Sequence, residues 1–134
     1  MRYVLDADIL SYILRQEGPS LSRFLATRPD QIVVSTVTLM KVQAGFELKP
    51  RVGKILRPAL ERILSDIVVL DYDQADALST ARIRAVLKKK GKPTGFYDAM
   101  LIGVGLARGL TVVTNNTKNF VHAPGLKLEN WNLP

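Results

Sequence analysis

Arg2-Tyr3-Val4-Leu5-Asp6-Ala7-Asp8-Ile9-Leu10 is the stretch on which the reading of the whole chain turns. Tyr3, Val4 and Leu5 form a short continuous apolar run, the pattern of a strand buried on both faces of a parallel sheet. Asp6 follows at once, and Asp8 two residues later. Ligands of open α/β sheets bind in the crevice beyond the carboxyl ends of the strands, so Asp6 is expected at the mouth of that crevice. A carboxylate there is costly to desolvate unless a cation or hydrogen-bond donors meet it. The competing reading makes Asp8, and Asp6 one turn further out, caps of the following helix.

Ile32-Val33-Val34, Ile67–Leu70 and Leu110–Val113 repeat the buried-strand pattern, and Leu126–Leu128 reads as an edge strand. Helices fill the intervals. Asp8–Gln16 comes first, Gly18-Pro19-Ser20 is expected to break it, and Leu21–Thr27 follows. The helix opened by Ser35-Thr36 carries Val37, Leu39, Met40, Val42, Ala44 and Phe46 on more than one face and is expected to be largely buried, with Pro50 ending it. Arg51–Leu64 is amphipathic, Asp73 is the expected N-cap of a helix to Lys90, and Phe96–Arg108 ends at Gly109. This alternation predicts one α/β domain over residues 1–134, a central, mostly parallel sheet of roughly four to five strands with helices on both faces. Right-handed crossovers bring every carboxyl end to one rim, which would carry Asp6, Asp8, the helix start from Ser35 to Lys41, and Thr114 to Asn116.

The composition bounds the rest. A chain of 134 residues with 47% hydrophobic and 23% charged residues buries an ordinary globular core. No run approaches the roughly 18 apolar residues of a membrane span, and the N-terminus does not read as a signal peptide. With no cysteine, thiolate metal sites and disulfides are excluded, which fits a reducing cytoplasm. The net charge of +7 points to an anionic partner, with nucleic acid first and an acidic protein second.

Most of the acidic residues fit helix caps or solvated faces; Asp98 does not. It lies in the first turn of an otherwise apolar helix, where the helix dipole favours an acid, and the same position aims it at the rim. Asp6 and Asp98 together, with no cysteine and the single His122 elsewhere, suit a hard cation such as Mg2+ or Mn2+.

Leu5-Asp6-Ala7-Asp8, Ser35-x-x-Thr38-x-x-Lys41-Val42-x-x-Gly45, Gly95-Phe96-Tyr97-Asp98 and Ala107-Arg108-Gly109-Leu110-x-Val112-Val113-Thr114-Asn115-Asn116 occur in the order found in PIN domains. Over essentially its whole length, to Glu129-Asn130-Trp131, the chain resembles the VapC-type toxins of toxin–antitoxin pairs. The resemblance implies a PIN-like fold and a Mg2+- or Mn2+-dependent endoribonuclease that cuts structured RNA such as tRNA. It also implies a VapB-like antitoxin whose C-terminal segment enters the active-site groove, and a homodimer or a complex with that antitoxin. Carried over by position, Asp6 and Asp98 match the metal-binding acids and Asp8 a position that is Asn or Asp. Asn116 matches a polar or acidic position after the fourth strand, with Thr114 and Ser35 supporting it by hydrogen bonds.

Lys41 departs from the pattern, because the resemblance implies a Glu there, facing the metal. Its ammonium can take the cation's place in a salt bridge with Asp6 or Asp98, leaving a weak or dead nuclease. Alternatively, Lys41 turns away and Asp8 supplies the missing carboxylate. A Glu-to-Lys change needs one base, and a toxic protein selects for inactivating changes, which favours an acquired loss of function. Asn119 also stands where these toxins carry an acid. Two other classes remain: a catalytically silent PIN-fold module that binds its antitoxin, and an unrelated flavodoxin-like or response-regulator-like domain. Elsewhere, Lys88 to Lys92 reads as a solvated helix end that with Arg82 and Arg84 can guide RNA phosphates, Tyr97 as a core residue or base stacker, and Trp131 as an anchor of the C-terminus.

Overall fold

The Tyr3-Val4-Leu5 run forms the first strand, β1 (Tyr3–Leu5), and being apolar on both faces it takes the centre of the sheet. The computed structural model describes residues 1–134 throughout. In chain order the elements after β1 are α1 (Ala7–Leu14), α2 (Gly18–Ala26), β2 (Ile32–Ser35), α3 (Thr36–Leu48) and α4 (Pro50–Asp66). They continue with β3 (Val68–Leu70), α5 (Gln74–Lys89), α6 (Phe96–Arg108), β4 (Thr111–Val113) and β5 (Lys127–Glu129). The sheet has five strands in the order β3-β2-β1-β4-β5, and every neighbouring pair is parallel. This order differs from the doubly wound flavodoxin arrangement.

Alternation along β1 divides the core. Tyr3 and Leu5 face one side with Ile32, Val34 and Val113, under α1 and α4, while Val4 faces the other with Val33 and Val112, under α5 and α6. Helices therefore cover both faces, as the strand pattern requires. On the second face α5 and α6 come very close. A Cβ added at Gly103 would stand 2.9 Å from the backbone nitrogen of Thr80, so only glycine permits this approach. Trp131 is fully buried on the first face, edge-on to Tyr3 at 5.1 Å between ring centroids, and pins the C-terminal segment to β1.

The boundaries differ from expectation in a few places. Gly18-Pro19-Ser20 is the opening turn of α2 rather than a break, because proline is well placed at the start of a helix. β3 starts at Val68, one residue late. Only Val37, Thr38, Val42 and Phe46 of α3 are buried, and Met40 and Leu48 are exposed. The helix leans on its neighbours along a single stripe, so it is not the largely buried element its composition suggests. Asp73 caps α5 as expected, in a reciprocal capping box with Asp76.

Asp76 also anchors the second face. Its buried carboxylate receives Nε of Arg108 at 3.1 Å and Nη2 at 2.9 Å, tying the end of α6 to the start of α5. Burial alone would push this carboxyl up, but the Arg108 guanidinium and the Asp73 backbone hold it below its ordinary value of 3.8. Arg108→Leu leaves that charge buried and unpaired, and is expected to cost about 3 kcal/mol in urea melts at neutral pH. Because the folded value is depressed, the pairing contributes fully above pH 3.8 and is lost as pH falls through the folded value. The gap between Arg108→Leu and the parent chain should therefore close in acid, and a gap that stays constant with pH would sink this account of Asp76.

Candidate active site

All five strands end on one rim, and the polar residues that follow them converge there. Asp6 continues β1, its own N–H donating to the Val113 carbonyl at 2.8 Å, and it is buried. Its carboxylate has two donors. Ala7 N–H, at the start of α1, donates to Oδ1 at 2.7 Å, and the Thr114 hydroxyl, just past β4, donates to Oδ2 at 2.8 Å. The rim reading and the cap reading of Asp6 are thus both fulfilled by one side chain. Burial pushes the Asp6 carboxyl up, and Thr114, Ala7 and the positive charge of Lys41 only partly offset this, while Asp98 adds to it.

Asp8 sits one step along α1. Its Oδ1 accepts from Ile9 N–H at 2.7 Å and its Oδ2 from Asn115 N–H at 3.0 Å. Burial, then the neighbouring Asp6 charge, push this carboxyl up as well. Asp98, in the first turn of α6, accepts from the Asn119 side-chain amide at 3.1 Å. The rim thus carries three acids, each held by a neutral donor, with the Asp98 charge felt by Asp6 and the Asp6 charge felt by Asp8. Nowhere do three or more acid, histidine or cysteine side chains close into one cage.

Lys41 lies on α3, one turn after Thr38, whose buried hydroxyl donates to the Leu5 carbonyl at 2.9 Å and ties α3 to the end of β1. The ammonium acts on Asp6 and Asp8 through charge. It forms no ion pair with Asp6 or Asp98; the molecule's ion pairs all involve arginines. Instead Nζ stands 5.7 Å from the centre of the Tyr97 ring. The expected salt bridge in place of a cation is absent, although the positive charge stays near the acids.

Thr114 supports Asn116 as anticipated, its oxygen accepting the Asn116 N–H at 3.1 Å. Ser35 does not: it caps α3 by accepting Val37 N–H at 3.1 Å. The Asn116 side chain makes no hydrogen bond within the chain and remains available at the rim. His122 stays outside, its carbonyl taken by Lys90. Two further residues of the rim appear in the sequence only as members of the motifs, with no role assigned to them. Asn115 binds Asp8 through its backbone, Tyr12 and Asn130 through its side chain, and Thr38 fixes α3 to the end of β1.

The PIN domain family model matches residues 3–126. The tRNA(fMet)-specific endonuclease VapC of Shigella flexneri is 35% identical over 131 residues, 98% of each chain. Ribonuclease VapC2 of Haemophilus influenzae is 28% identical over the same length, again 98% of each. Among solved structures, DNA-bound VapBC from Salmonella typhimurium superimposes with a TM-score of 0.87 at 34% identity, covering 98% of both chains. VapBC2 from Rickettsia felis bound to a promoter DNA fragment gives the same TM-score at 26% identity, covering 98% and 99%.

Because Asp6 has a raised value, its protonated form is favoured by folding, and the ionised form weakens the chain as pH rises through the folded value. Asp6→Asn should therefore raise stability in EDTA at pH 7, by on the order of 1 kcal/mol, with the gain fading below the ordinary value of 3.8. Thermal melts across pH test this, and a destabilised Asp6→Asn at pH 7 would contradict it.

Proposed function

This chain belongs to the PIN-domain family, and on that premise we propose that it is a metal-dependent endoribonuclease toxin, hydrolysing phosphodiester bonds of RNA, with tRNA as its class of substrate. The observation that carries the reading is the buried Asp6 carboxylate at the end of β1, with Asp98 and Asp8 coupled to it, in a chain 35% identical to a tRNA endonuclease. The donor set consists of carboxylate and amide oxygens, the chemistry of Mg2+ or Mn2+ sites completed by substrate phosphate. Asp6 and Asp98 are the residues that would hold such an ion, which when bound supplies a more acidic water and neutralises charge at the leaving oxygen.

The chain's own residues do the remainder. Thr114 and Ala7 N–H fix the orientation of Asp6, Asn119 fixes Asp98, and Asn115 fixes Asp8. Asp8 supplies the third carboxylate where the family's Glu is replaced by Lys41, and the free Asn116 amide orients the phosphate for in-line attack. Lys41 lowers the affinity of the acids for a dication by placing a like charge beside them. That charge is the observation favouring a second reading, a catalytically silent module that binds its antitoxin.

In either reading the partner is a VapB-like antitoxin, in keeping with the VapBC complexes to which the chain is similar. The cleft of about 370 Å³ between α1, α3 and α4, bordered by Asp8 and Lys41, is where its C-terminal segment would enter. Cytoplasmic location, where the RNA substrate is found, and self-association as a dimer belong to the same proposal.

Cleavage of total tRNA with Mg2+ or Mn2+ tests the reading. Lys41→Glu is expected to cut at least about tenfold faster than the parent chain, and Lys41→Glu with Asp6→Asn not to cut. Thr114→Val in the Lys41→Glu background should lose about 10–100-fold, since it releases a metal-binding acid from its support. If neither the parent nor Lys41→Glu cuts any RNA, the nuclease reading is lost and the silent module stands.

A further inference from the structure

Phe96 and Tyr97 open α6 directly before Asp98, and both rings are in solvent, 66% and 43% exposed. Neither fills the core. Each instead carries a cation on one face: the Arg84 guanidinium 4.1 Å from the Phe96 ring centre, and Lys41 Nζ beside Tyr97. Such cations hold the rings in place and leave their remaining surface open.

Two clefts lie against Pro93 and Thr94, just ahead of α6, and one of them is lined by the same Arg84 that covers Phe96. One of about 210 Å³ is lined by Lys92, Lys118 and Asn119, and Asn119 is the residue whose amide holds Asp98. The other, of about 280 Å³, is lined by Arg84 and Lys88 and shares Pro93 and Thr94 with the first. No acid lines either cleft. Arg84, Lys88, Lys92 and Lys118 take part in no ion pair, so their charge is not spent within the chain.

Resting on the nuclease reading, we propose that Phe96, Tyr97 and these two basic clefts form a positioning surface for an unpaired stretch of RNA beside the acids. Bases stack on the two rings, and the flanking phosphates lie along Lys92 and Lys118 and then Lys88 and Arg84. Planar rings with open faces stack only bases that are themselves unstacked, which a duplex does not offer. An acidic peptide would satisfy the cations but has no use for the rings. The surface thus directs cleavage to loops and single-stranded segments of a structured RNA.

The test is fluorescence anisotropy in EDTA, using a short labelled single-stranded RNA and a blunt duplex of the same sequence, over a series of salt concentrations. The parent chain should prefer the single strand. Phe96→Ala should weaken that binding at least about fivefold without changing its salt dependence. Lys88→Gln with Lys92→Gln should flatten the slope of log K against log salt by about 0.7 for each phosphate that is no longer neutralised. Preference for the duplex, or both variants binding as the parent does, overturns the proposal. An acidic peptide more sensitive than RNA to Phe96→Ala would also overturn it, by assigning the surface to a protein partner. If the variants behave as expected while Lys41→Glu cuts nothing, the nuclease reading fails and the RNA surface stands. Should Lys41→Glu cut RNA with the surface variants unchanged, the surface alone falls.

Discussion

A carboxylate buried at the end of the central strand sets the terms for the rest of this structure. Asp6 cannot remain charged there without donors, and its two side-chain donors come from different parts of the chain: Ala7 N–H from the start of α1 and the Thr114 hydroxyl from the end of β4. Both constrain the backbone. α1 must begin the moment β1 ends, and β4 must pair with β1 so that Leu5 lies opposite Val113 and Thr114 lands beside Asp6. A slip of one residue would turn Thr114 away and move Val113 to the wrong core. The constraint passes outward, because Thr114 N–H is bonded to the Glu129 carbonyl on β5, and Trp131 two residues later is buried against Tyr3.

The remainder of the rim is built in the same way, by short polar side chains and not by long flexible ones. Thr38 ties α3 to the Leu5 carbonyl, Asn115 links Asp8 to Tyr12 and Asn130, and Asn119 reaches Asp98 on α6. Short side chains lose little rotamer freedom when fixed. Elements from both layers are thereby locked at one point, which holds the three acids in a set geometry while the rim stays open to solvent.

The fold is legible in the sequence because its signals are local and repeated. Tyr3–Leu5, Ile32–Val34 and Val68–Leu70 are continuous apolar runs, β4 departs from one only at Thr111, and Gly109 and the Asp73 cap mark helix ends that the structure reproduces. α3 departs from its expected burial because a helix apolar on several faces is indistinguishable in sequence from a buried one. Which stripe packs depends on where α1 and α4 lie, and no window of residues encodes that. The rim is legible as a set of positions. Its partners are not: Thr114 serving Asp6, Ser35 serving its own helix, and Lys41 beside Tyr97 are outcomes of tertiary placement. The resemblance to PIN domains locates residues, while which side chain meets which is settled only by the folded chain.

Two buried acids show why the choice of partner matters more than burial. Asp76 and Asp6 are both withdrawn from water, yet their carboxyls move in opposite directions. Asp76 is met by a guanidinium, which fixes it as an anion and uses up its charge in joining α5 to α6. Asp6 is met by a hydroxyl and a backbone amide, which orient it without cancelling its charge. The two acids thus differ in whether a full counter-charge is built in beside them. Lys41 stands between these cases: near enough to be felt by Asp6 and Asp8, yet paired with neither. It offsets part of the negative charge without organising the acids.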